Sequence, residues 1–125
     1  MARETVAQRN ARYAQEREAY LAKQVAEYPT RLMVALTRAT DAYFELSVND
    51  NKFLVRDRNK YEPQVHTLAY AHSPNSQEQL EELEWALDRH EAELAEQRRL
   101  AEVRKEAERK ARELFTDEER ELLGL

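Results

Sequence analysis

The apolar residues of this chain are crowded into its centre, and that distribution constrains the fold more than any motif. Leu, Val and Phe number 25 in 125 residues, Ile is absent, and 11 of the 25 lie between Leu32 and Leu68. So small a share is close to the composition at which burial no longer offsets conformational entropy. From Arg98 to Arg112 only Leu100 and Val103 belong to this set. The core must be central and small, and the chain ends must project from it or pair with something else. Eighteen alanines and a charged fraction of 36% favour helix in those ends.

Periodicity divides the chain into five elements. Residues 2–28 are expected to be helical, because Ala7, Ala11, Ala14, Leu21, Val25 and Tyr28 recur at spacings of 3, 4 and 7, with Tyr13 and Tyr20 widening the stripe. Small alanines on that face call for close approach of another helix. Pro29 lacks an amide donor and disfavours helix at Tyr28, so a break or kink is expected there. A second helix, 30–43, would turn Leu32, Leu36, Ala39 and Tyr43 inward. The period then changes to two. Residues 44–71 read as a small meander: Phe44, Leu46 and Val48 alternate with polar residues, and Asn49-Asp50-Asn51 signals a turn. Phe53 and Val55 lie on one face of the returning strand. A third strand turns in either Val65, Thr67 and Ala69 or His66, Leu68 and Tyr70.

A long helix is expected over 77–114, with Leu80, Leu83, Leu87 and Leu94 as its stripe. Ser76 and Gln79 form a capping-box pattern at its start, in competition with Ser73 followed by Pro74. Thr116 and Glu119 repeat the pattern before a short helix, 117–123. The fold class is therefore α+β and helix-dominated. Long N- and C-terminal helices surround a small three-stranded antiparallel meander in a single domain, 1–125.

The net charge of −5 hides strong segregation. Residues 76–97 carry eight acidic residues and one Arg, whereas 98–112 carry seven basic residues against three acidic. The basic stretch is Arg98, Arg99, Arg104, Lys105, Arg109, Lys110 and Arg112. It could lie along nucleic-acid phosphates. It would equally face the acidic half of a second copy in an antiparallel helix pair. The acidic balance of the whole chain favours the second reading, and a homodimer is expected.

One glycine rules out the glycine-rich phosphate loops, and the absence of cysteine rules out disulfides, thiolate metal sites and thiol nucleophiles. His66, His72 and His90 have no ligand spacing around them; Leu94 stands where His90-Glu91 would need a second histidine. No carboxylate pair is set among apolar residues. Neither enzymatic activity nor a metal or cofactor is expected. The longest apolar run, Leu32 to Leu36, is far too short to cross a membrane, and residues 1–5 lack a secretion signal. A cytoplasmic protein is the expectation.

The aromatic residues point outward as well as inward. Tyr43, Tyr70 and Trp85 are expected in the small core. Tyr13 and Tyr20 fall where core is scarce and are candidate partner-binding residues, as are Leu122, Leu123 and Leu125 of the last helix. A short chain without cysteine, a charged coiled helix and the ending Leu-Phe-Thr-Asp-Glu-Glu-Arg-Glu-Leu-Leu-Gly-Leu together resemble the small accessory proteins of tailed bacteriophages. That resemblance implies a protein that inhibits or redirects a larger host enzyme from within the host cytoplasm, or else a structural or assembly subunit of the particle.

Overall fold

A computed structural model of the chain describes residues 3–124. The elements are α1 (Val6–Asp41), β1 (Glu45–Asn49), β2 (Lys52–Arg56), β3 (Val65–Ala69), α2 (Pro74–Leu114) and α3 (Asp117–Leu123). The fold is helix-dominated α+β with a three-stranded antiparallel sheet in the order β1-β2-β3. The single domain expected over 1–125 is organised as two compact units, Met1–Leu87 and Asp88–Leu125.

The two helices expected on either side of Pro29 are one. The helix α1 runs through Pro29, which leaves the Val25 carbonyl without its helical amide partner. An interior proline costs about 3 kcal/mol. Immediately beyond it, however, Tyr28, Leu32, Ala35, Leu36 and Ala39 are all buried. Burying each large side chain is worth about 1.5–3 kcal/mol, and together they outweigh the proline. The expected start at residue 2 lies outside the described residues. The helix is capped by Thr5, whose hydroxyl accepts from the Gln8 amide while the Gln8 side chain accepts from Thr5 N–H.

α1 ends in a Schellman motif. Phe44 N–H reaches back to the Ala39 carbonyl and Tyr43 N–H to that of Thr40. The left-handed position in this motif is normally glycine, but here it is Tyr43, at φ 60°. Tyr43 is therefore thrown outward, 80% exposed, not placed in the core as expected. Trp85 and Tyr70 are also exposed, and the buried aromatic residues are Tyr28 and Phe44. The core is small enough for aliphatic side chains to fill the rest: Leu32, Leu36, Val55, Leu68, Leu80, Leu83 and Leu87.

The hairpin turn is as short as a turn can be. Asp50 and Asn51 both have positive φ, as a type I′ turn requires, and Asn49 pairs with Lys52. The register puts Leu46, Val48, Phe53, Val55, His66 and Leu68 on one face. This settles β3 in favour of His66 and Leu68, both buried. Val55 is buried and Phe53 packs against the core, yet every residue of β1 is exposed.

α2 starts three residues earlier than its expected start. Ser73 Oγ accepts from Ser76 N–H at 3.0 Å and Pro74 occupies the first turn, where its missing amide costs nothing. Gln79, freed from a capping box, instead accepts from Thr67 N–H of β3. Arg31 of α1 and Glu84 of α2 form a two-pronged ion pair, and Tyr28 donates its hydroxyl proton to the Ala69 carbonyl. The Tyr28 ring meets His72 edge-on, with centroids 5.5 Å apart. Burial raises the Tyr28 pKa, more than its hydrogen bond with Ser76 lowers it.

In the second unit the helix α2 continues to Leu114. Of its residues from Asp88 on, only His90, Leu94 and Ala111 are half-buried. α3 follows, capped by Thr116 with Glu119 as expected and closed by Gly124 in the left-handed region. It buries no residue.

Candidate functional site

The loop after β2 is organised by one buried carboxylate. Asp57 Oδ1 accepts from the amides of Asn59 and Gln64, at 3.1 and 3.0 Å. Its Oδ2 lies 3.0 Å from Nε2 of the buried His66. Burial pushes the Asp57 pKa up, but hydrogen bonds from Gln64 N–H, His66 and Asn59 N–H bring it below the ordinary value. An ionised carboxylate only accepts, so His66 Nε2 is the donor.

Turning Asp57 inward turns its neighbours outward. Tyr43, Glu45, Arg56, Asp57, Arg58, Asn59 and Pro63 line an open cleft. Strand alternation carries Arg56 and Arg58 to the same side, beside Glu45, the cross-strand partner of Arg56. Among the described residues neither arginine makes an ion pair, so the cleft offers two guanidinium forks beside an exposed phenol. Sequence reasoning missed this site, having placed Tyr43 on a helix face. The available signal was the lack of any glycine between the end of α1 and the first strand. Some residue had to take the left-handed position.

Tyr13 and Tyr20, the residues of α1 expected to bind a partner, lie on the exposed half of the helix. Tyr13 and Tyr20 are both more than half exposed, with the Arg12 guanidinium 5.2 Å from the Tyr13 ring centre. They flank a face with a seven-residue repeat. Tyr28 and Ala35, buried, continue backwards as Leu21, Ala14 and Ala7, exposed; Leu32 and Ala39 continue backwards as Val25, then Glu18, then Ala11. One continuous helix face is thus core at one end and open at the other.

The basic stretch is partly neutralised by its own helix. Arg99 pairs with Glu96, Lys105 with Glu102, and Arg109 with both Glu106 and Glu113. Arg98, Arg104, Lys110 and Arg112 make no ion pair among the described residues. Arg98, Lys105, Arg109 and Arg112 share one face at spacings of 7, 4 and 3, but two of the four are held by glutamates. On α3, Leu122 is 82% exposed and Leu123 59%. Leu125 lies outside the described residues. No group of three His, Asp or Glu side chains suited to a metal ion occurs among the described residues. None of the helices there is long and apolar enough to cross a membrane.

Compared with known proteins, the chain matches no family model, no curated protein and no solved structure.

Proposed function

We infer that this is a non-enzymatic protein-binding protein that docks a helix of a larger partner on the open half of α1 and so modulates that partner's activity. One observation carries the reading: the face that packs the core from Tyr28 to Ala39 continues through Leu21 and Val25 to Ala14, Ala11 and Ala7, where it is exposed, with Glu18 as the one charged residue between Val25 and Ala11. Alanines at seven-residue intervals admit a close helix, and Tyr13 and Tyr20 on the rim supply large contact areas at low entropic cost. The complementary occupant is an amphipathic helix with large apolar side chains. The phage-accessory resemblance supports such a role in a host cytoplasm.

The test places a photo-crosslinking residue at Tyr13, with a control at Arg58. A discrete adduct from Tyr13, lost when Leu21→Glu is added, is expected. Because Leu21 and Tyr13 are exposed, these variants should melt like the wild type. Unchanged capture by Leu21→Glu would refute the reading. The nucleic-acid reading, through Arg98, Arg99, Arg104, Lys105, Arg109, Lys110 and Arg112, is less favoured because glutamates already hold three of these cations. Salt-dependent retention of DNA, abolished by neutralising Arg104, Lys105, Arg109 and Lys110, would revive it. Copurification with ordered particles would favour a structural subunit.

A further inference from the structure

The sheet has two outer edges, and the chain treats them differently. The two-residue turn makes Asn49 and Lys52 a hydrogen-bonded pair, so alternation turns the amides and carbonyls of Glu45, Ser47 and Asn49 towards β2. Those of Leu46 and Val48 then point away from the sheet. By the same alternation Thr67 and Ala69 point outward from β3. There the outward groups have partners: Gln79 accepts from Thr67 N–H at 3.2 Å, and the Ala69 carbonyl accepts from the Tyr28 hydroxyl. On β1, no such bond exists among the described residues. Nor does β1 carry the lysine, proline or bulge that ordinarily blunts an edge.

We propose that β1 is closed by β1 of a second copy, antiparallel, about a two-fold axis through Ser47. In this register Leu46 of one copy lies opposite Val48 of the other. These are the two residues whose main-chain groups point outward, so they form two doubly hydrogen-bonded pairs. Their side chains lie on the core face of the sheet, where Leu46 is 41% and Val48 65% exposed in the single chain. Pairing carries the apolar layer across a six-stranded sheet. On the other face Ser47 meets itself, and Glu45 meets Asn49, so no like charges are opposed. Moving the axis to Leu46 would set Val48 against Phe44, which is already outside the strand. Self-complementarity over all five residues selects a second copy over an unrelated strand. This interface is independent of the α1 surface.

The chain contains no cysteine, which makes single-cysteine variants clean reporters. At a non-hydrogen-bonded antiparallel pair the Cα atoms are about 4.5 Å apart, within disulfide range. Ser47→Cys should therefore link to a covalent dimer on mild oxidation. Asn49→Cys should not, since the two copies of residue 49 would be about 13 Å apart along the strand. Light scattering of the wild type should give twice the chain mass of 14.8 kDa. Val48→Lys, at an exposed position, should give one chain mass with an unchanged circular-dichroism spectrum, while Leu21→Glu stays dimeric. A wild type that is monomeric across a concentration series overturns the proposal, whatever else binds that edge. So does a dimer untouched by Val48→Lys, or equal linking by Ser47→Cys and Asn49→Cys.

Discussion

Replacing Asp57 by alanine is expected to be the most damaging single polar substitution in the first unit. Three donors converge on this carboxylate: two loop amides and the His66 ring. The amides lie in an exposed loop and can return to water, so each costs about 1 kcal/mol at most. The His66 ring is buried and cannot, and an orphaned buried donor costs about 1–3 kcal/mol. The sum is about 3 kcal/mol, which for a chain of this size lowers Tm by roughly 10 °C. Asp57→Asn has the same shape. Its Oδ1 still accepts from both amides, and its Nδ2 can face a His66 ring that has moved its proton to Nδ1. Only the charge assistance is lost, about 1 kcal/mol. Urea unfolding followed by circular dichroism would measure both. The pH dependence gives a second check. The folded pKa of Asp57 lies below the unfolded one, so its contribution is complete above about pH 4 and disappears as pH falls through the folded value. The gap between wild type and Asp57→Asn should therefore close on acidification below about pH 4. An alanine variant within 0.5 kcal/mol of wild type, or an asparagine variant as damaged as the alanine one, would refute this account.

Three further outcomes are expected. Tyr43→Gly should stabilise the chain by about 1 kcal/mol in the same unfolding experiment, since it relieves a left-handed tyrosine that contributes little burial; a loss would mean that the phenol makes contacts worth more than the strain. Tyr28→Phe should cost about 1 kcal/mol, because it removes the donor to the Ala69 carbonyl and opens the protected edge of the sheet. Truncation after Leu114 should leave the melting curve of the remaining chain unchanged, since α3 buries nothing; a lowered Tm would show that Leu122 and Leu123 pack on their own chain.

Much of the architecture is readable because it rests on local periodicity. The leucine stripe of α2, the alternation around a two-residue turn and the Thr116 cap each need only residues a few positions apart. Elements decided by distant partners are less legible. Pro29 predicts a break from local rules, and the helix persists because Leu32, Ala35 and Leu36 beyond it have a core to enter. Ser76 reads as well as Ser73 for the cap of α2, until β3 supplies Thr67 as a better use for Gln79. Leu46 and Val48 alternate like any half-buried strand, and no pattern in the chain reports that they fall at an uncovered edge. The cleft at Arg56 and Arg58 was invisible for a similar reason. Its geometry follows from Asp57 turning inward towards His66, nine residues away on another strand.

The missing hydrogen bond at Pro29 has a consequence for how α1 opens. It falls where burial begins, at Tyr28, so it separates a helix segment anchored in the core from one held only by its own backbone. The helix then has a built-in weak point, and its first five turns can unwind and re-form without disturbing Leu32 or Ala39. Amide hydrogens of residues 10–27 should exchange orders of magnitude faster than those of 32–41, in one cooperative step. A partner that captures α1 would meet a segment that samples coil and helix. It would have to order that segment as it binds, exchanging some affinity for fast release.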